Sequence, residues 1–196
     1  VKTSSKREQN RLRQRRQKWI NFSIIGGISI VILGILGTIL WQAVKPAAGE
    51  AVSIPAGYEN HVEIGTPLSY PSDPPAGGRH YAEEFGNGFY DEATLPQKPG
   101  DLKGYLVHNL EHGYVIFWYN CAKLDDSACN NLKSQIKVVM DAKNNFKLIA
   151  VPWKSTDSPL VMTSWGRLQR FEQFDAGLAR AFIESNLNHA PEPDAQ

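Results

Sequence analysis

Two of the chain's five histidines and a carboxylate fall in one short polar interruption, His108-Asn109-Leu110-Glu111-His112-Gly113. It lies between the apolar runs Tyr105-Leu106-Val107 and Tyr114 to Tyr119. Imidazole and carboxylate groups serve as metal ligands, as general acids and bases, or as hydrogen-bonding fixtures, and the backbone decides among these. On a helix, His108, Glu111 and His112 share one face with Cβ atoms about 5–6 Å apart, close enough for one ion. On a continuous strand, His108 and His112 share a face about 13 Å apart, and Glu111 points away. A shared metal therefore requires a helical turn or a tight loop, and Gly113 suits the residue that ends such a turn. The run Tyr114 to Tyr119 has the length and the aromatic and β-branched content of a central strand buried on both faces. The expectation for the whole stretch is strand, one turn, strand. His-x-x-Glu-His is also the inverted zinc-peptidase motif, which needs a long helix and a distant second Glu. A strand starting directly after Gly113 argues against that chemistry. The plain alternative is that these residues hydrogen-bond and pin a turn.

A third histidine follows a stiff segment. Gly65 to Gly78 holds four prolines and ends in Pro74-Pro75-Ala76-Gly77-Gly78, with Arg79-His80-Tyr81 directly after it. The prolines restrict the backbone and the glycine pair frees it, so the segment can fold tightly onto a neighbouring surface. Loops of this length in compact domains are functional or disordered, and the aromatics Tyr70, Tyr81, Phe85, Phe89 and Tyr90 favour order. The expectation is that His80 joins His108 and His112 at one site, with Arg79, His80, Tyr81 and Glu111 as ligand contacts. Three imidazoles beside a carboxylate suit a divalent metal such as zinc, which takes three protein ligands and water in open sites. The same groups also suit a hydrogen-bonded polar cluster with no metal.

The surrounding chain supplies the platform. At 196 residues it is long enough for one domain with an appendage. Residues 1–18 carry eight basic side chains against Glu8 alone, a charge of +7; the whole chain is +1, so the remainder carries −6. Trp19 to Trp41 follows without a charge, and as a helix it would extend roughly 34 Å, enough for a hydrocarbon core of about 30 Å. Trp19 and Trp41 sit where interfacial anchors sit. The basic run is then a positive-inside signal and an anionic-lipid contact, and no nucleic-acid partner is expected. The apolar region is longer than that of a cleaved signal peptide, which predicts an uncleaved signal anchor, an N-terminus in the cytoplasm and a domain outside the cell membrane. Ser23, Gly27, Gly34 and Thr38 form a stripe of small residues that would let a partner membrane helix approach closely.

Beyond the anchor, 42–57 reads as a linker, 58–190 as the extracytoplasmic domain and 191–196 as a tail. His61 to Ile64, Lys147 to Trp153 and Leu160 to Trp165 read as strands. A helix capped by Asp126 or Ser127 is predicted to run to about Lys143, burying Leu132, Ile136, Val139 and Met140. A last helix is predicted with Phe171, Phe174, Leu178, Phe182, Ile183 and Leu187 as its apolar face. Cys121 and Cys129 are the only cysteines, and on the oxidising side of a membrane they are predicted to form a disulfide. The fold class predicted is α+β, a small mostly antiparallel sheet with two helices, tethered by one N-terminal transmembrane helix.

Three elements together, Pro74-Pro75-Ala76-Gly77-Gly78-Arg79-His80, Gly88-Phe89-Tyr90 and Val107-His108-Asn109-Leu110-Glu111-His112-Gly113, resemble the domain-of-unknown-function 3105 family over about residues 58–188. The resemblance implies a single membrane-anchored domain of bacterial type and supplies no mechanism. Two functional classes then stand side by side. One is a binding module with a His/Glu pocket for a metal or small polar ligand. The other is a structural accessory subunit of a membrane complex, whose working surface is the helix stripe. A metal-dependent hydrolase is a third reading; no Ser/His/Asp arrangement or nucleophile elbow accompanies it.

Overall fold

The computed structural model describes residues 6–44, 47–58 and 60–194. The chain divides into two units, residues 1–46 and 47–196. The first is the helix α1 (Lys6–Val44). Among the described residues it is the one helix long and apolar enough to cross a membrane, over Arg13–Thr38. Trp19, Phe22, Ile30 and Leu33 are exposed along it. Lys2, Lys45 and Pro46 lie outside the described residues, and so does the side chain of Trp41.

The second unit is built on a six-stranded sheet. Its elements in chain order are β1 (Glu50–Ala51), β2 (Gly88–Phe89), α2 (Leu102–Glu111), β3 (Val115–Tyr119), α3 (Asp126–Asp141), β4 (Leu148–Pro152), β5 (Leu160–Ser164), β6 (Arg167–Phe171) and α4 (Ala176–Asn186). A single 3-10 turn, Cys121–Lys123, lies between β3 and α3. The spatial order is β1-β6-β5-β3-β4-β2. β3 pairs antiparallel with β5 and parallel with β4, and β4 pairs parallel with β2. The class is α+β, but the sheet is mixed rather than mostly antiparallel. The physical reason is α3, because a helical crossover from β3 returns the chain in the same direction.

Every residue of β3 is buried, and alternation splits them between two cores. Val115, Phe117 and Tyr119 pack with α3 and α4, where Leu132, Ile136, Val139, Met140, Phe182 and Ile183 close the layer. Ile116 and Trp118 pack with α2 and with Tyr81 and Phe85 from the long loop. Aspartates cap all three helices of this unit: Asp101 on α2, Asp125 on α3 and Asp175 on α4 each accept from backbone N–H groups of the first turn. The cap of α3 therefore falls one residue before the expected Asp126. Cys121 and Cys129 form a disulfide, with Cα atoms 5.2 Å apart.

Several expectations are corrected. Tyr105-Leu106-Val107 is helical, giving the domain three α-helices instead of two. Gly104 to Glu111 is buried throughout, and a helix enclosed on every side carries no polar period to betray it. Phe171 ends β6 and does not begin the last helix, and Leu178 is 55% exposed. β6 escaped notice because Arg167, Gln169 and Arg170 make it polar; it is the return strand of a hairpin whose turn uses Gly166 at φ +68°. His61 to Ile64 contributes a single bridge, Val62 to Tyr81, in place of a strand. The stretch expected as a linker contains β1, which pairs with β6 at the sheet edge.

Candidate metal centre

The site lies at the C-terminal end of α2, and the helix is held there completely. The last four carbonyls of a helix lack intrahelical partners. Here His108, Asn109, Leu110 and Glu111 carbonyls accept from the N–H groups of His112, Tyr114, Gly113 and Glu192. The His112 carbonyl accepts from Lys147 Nζ at 2.9 Å. Gly113 takes φ +82°, the left-handed turn that releases the chain into β3. His108, Glu111 and His112 thus share a helical face and the cap that follows it. That is the arrangement a shared ion requires, reached by a full helix where one turn between strands was expected.

The loop brings the remaining groups. The N–H of Val62 donates to the His80 carbonyl at 2.9 Å, which sets His61 beside His80. The Asn109 amide bonds Phe85 in both directions, accepting from its N–H at 2.8 Å and donating to its carbonyl at 2.9 Å. This clamps Glu84 next to His112. Gly104 lets the loop approach α2, since a Cβ there would overlap the Tyr81 ring.

Four imidazoles converge. His61 stacks on His108 with ring centroids 4.9 Å apart, His80 meets His108 edge-on at 5.2 Å, and His108 meets His112 edge-on at 4.4 Å. His80 is fully buried, His108 and His112 nearly so, and His61 is 42% exposed at its side chain. Three Nδ1 atoms are engaged from outside the cluster. His80 Nδ1 donates to the Gly78 carbonyl at 2.8 Å, and His108 Nδ1 donates to the Tyr81 carbonyl at 2.6 Å. His112 Nδ1 pairs with the Glu84 carboxylate. A carbonyl only accepts, so the proton of neutral His80 and His108 resides on Nδ1 and Nε2 carries a lone pair. These Nε2 atoms point inward. His80 Nε2 is 2.9 Å from Glu111 Oε2, and His108 Nε2 is 3.1 Å from His112 Nε2.

Burial pushes the His80 and His108 imidazoles below their ordinary range and pushes the Glu111 carboxyl above its own. Without a cation, both members of the His80–Glu111 pair are thus driven toward their neutral forms. A divalent ion reverses that preference, because it stabilises the carboxylate and binds the lone pair. An acceptor on Nδ1 and a free Nε2 is also how ligating histidines are oriented by a surrounding shell.

Donor atoms of His61, His80 and His108 lie within 4.8 Å of one another, as do those of Glu84, His108 and His112, and those of Glu111, His112 and Glu192. The sequence named His80, His108, His112 and Glu111, and the structure brings all four together. Among the described residues, His80 and His112 nevertheless share no such donor group. Arg79 is exposed, and its backbone carbonyl accepts from the Tyr70 hydroxyl. Tyr81 contributes its carbonyl, while its ring packs edge-on against Tyr105 in the core. His61, Glu84 and Glu192 were missed. His61 looked like a strand residue and Glu192 like a tail. The usable signal was composition, for only His189 of the five histidines lies elsewhere, its Nδ1 donating to the Ser185 carbonyl. A cleft of about 650 Å³, lined by Glu84, Tyr114, Lys147 and Asn188 among others, opens beside the Glu84 carboxylate.

The residues of this site fall within a family match. The model of a family described as a protein of unknown function, DUF3105, covers residues 61–196. The chain belongs to the DUF3105 family. The match begins at His61 and contains every histidine and carboxylate of the cluster, so the site lies within the family domain, outside the membrane-type helix. No curated protein matches the chain, and no solved structure does.

Proposed function

We propose that this DUF3105 protein is a membrane-tethered metal-binding module. In this reading at least one divalent ion of zinc type binds the Nε2 atoms of the cluster, with His108 as a ligand. The carrying observation is the facing Nε2 pair of His108 and His112 at 3.1 Å. Each partner Nδ1 is already engaged, so the gap between them calls for a proton or a cation. Two nitrogens bound at about 2.0–2.1 Å to one tetrahedral ion stand roughly 3.3 Å apart, close to the separation of this pair. Imidazole and carboxylate donors without thiolate suit zinc, copper, iron or nickel. In the same reading the N-terminus is cytoplasmic and the domain outside, supported by the basic residues ahead of the apolar helix and by a disulfide that suits an oxidising compartment.

The test is metal analysis of the full chain, purified in detergent without chelator and then equilibrated with zinc. Retained zinc is expected after gel filtration and is expected to raise the melting temperature. The double variant His80→Asn/His108→Asn should lose it, while His189→Ala should keep it. Wild-type protein that retains no zinc, with the same melting temperature in zinc and in chelator, contradicts the proposal.

A further inference from the structure

We infer that the cluster holds two ions bridged by Glu111. This deepens the metal-binding reading and rests on it. The donors outnumber what one ion uses: four imidazoles and three carboxylates converge, whereas an open zinc site takes three protein ligands and a closed one four.

The donors also divide in space. On one side His80 Nε2 is 2.9 Å and His61 Nε2 3.8 Å from Glu111 Oε2. On the other, His108 Nε2 is 3.1 Å and Glu192 Oε2 3.8 Å from His112 Nε2. Each side thus places two donors within 3.8 Å of a third, and two disjoint sets, His61/His80/His108 and Glu111/His112/Glu192, each hold three donors within 4.8 Å of one another. Donors on a common ion at about 2.0–2.1 Å stand no more than roughly 4.2 Å apart, even when opposite. His80 and His112 share no donor group even at the looser 4.8 Å limit, so one ion does not serve both.

Glu111 is the carboxylate common to both sides. Its Oε2 belongs to the His80 and His61 side, and the same carboxyl lies in one donor group with His112 and Glu192. A carboxylate has two oxygens, each able to accept or ligate. A bridge of this kind sets two ions about 3.5–4 Å apart, the separation found in two-metal sites. His61 and Glu192 are the exposed members, one on each ion, which gives each ion a face toward solvent.

The experiment loads the full chain, in detergent and stripped by chelator, with cobalt(II). It then counts cobalt per chain and records the electron paramagnetic resonance signal. Wild type is expected to hold two cobalt ions with a signal weakened by coupling through the Glu111 carboxylate. His61→Ala should reduce the count to one and restore an uncoupled single-ion signal. The double variant His112→Asn/Glu192→Gln should do the same from the other side. His61 is exposed, so its replacement tests the inference without threatening the core. One ion per wild-type chain, unchanged in His61→Ala, overturns the two-ion inference and leaves metal binding standing. No bound cobalt overturns both.

Discussion

The two faces of the sheet enclose β3 in different ways. On one face, Phe117 and Tyr119 meet α3 and α4 across an apolar layer of Leu132, Ile136, Met140, Phe182 and Ile183. On the other, Ile116 and Trp118 meet α2 and the loop, and the same layer continues into buried His80, His108, Glu111 and His112. The first face needs only volume and shape to be stable. The second also needs every polar atom to have a partner, and there the inward Nε2 atoms have only Glu111 and one another. A face built this way costs stability wherever it is left incomplete, and a metal ion is what would complete it. The α3/α4 face is therefore expected to be indifferent to metal, and the α2 face to depend on it.

The largest break in this comparison comes from Phe182→Ala. Removing a fully buried ring is expected to cost about 3–5 kcal/mol. Chemical denaturation with and without zinc should show the same loss, and zinc binding should be unchanged. A zinc-dependent loss would mean that the two faces are coupled.

Removing the disulfide by Cys121→Ser/Cys129→Ser acts on the α3 side as well. The bond closes a short loop, so about 2–3 kcal/mol is expected, again with the metal count unaltered. Thermal melts of the metal-free and zinc-loaded forms should shift in parallel.

Glu84→Gln sharpens the other half of the comparison. The carboxylate holds His112 Nδ1, and losing such an orienting partner weakens metal affinity by about 10–100-fold. Competition with a chromogenic chelator reads this directly. Stability without metal should change by less than in either core variant, because Glu84 is over a third exposed. Unchanged affinity would remove the carboxylate from the orienting role.

The smallest effect is on pH. Protons compete with metal for imidazole, so affinity falls as pH drops. Burial holds His80 and His108 below the ordinary 6.5, so both stay neutral at and somewhat under that value. Their share of the decline should come below pH 6.5. Glu111 acts in the opposite sense, because its raised value lets protons compete above the ordinary 4.5. Titration of zinc affinity from pH 8 to 5 should therefore show its larger loss below about 6.5; a loss completed between pH 8 and 7 would contradict the assignment.

Legibility in the sequence follows the same division. On the α3/α4 face, Leu132, Ile136, Val139 and Met140 recur at helical spacing, and the runs at Lys147 to Trp153 and Leu160 to Trp165 resolve into β4 and β5. On the α2 face this signal fails. Tyr105 to Leu110 is apolar or buried whichever way it turns, so helix and strand look alike until Asp101 is seen as its cap. The histidines at 80, 108 and 112 were legible as reactive types next to rigid backbone. His61, Glu84 and Glu192 were not, because their placement depends on long-range contacts: the Val62–Tyr81 bridge, the Asn109–Phe85 clamp, and the Glu192 N–H on the Glu111 carbonyl. None of these has a local pattern.

The most direct test of the metal reading is X-ray absorption at the zinc edge on the zinc-loaded full chain. The account predicts a nitrogen and oxygen shell at about 2.0–2.1 Å with the outer-shell scattering of coordinated imidazole. That imidazole signal should diminish in His80→Asn/His108→Asn. A shell of oxygen alone, or zinc that washes away before measurement, would contradict it.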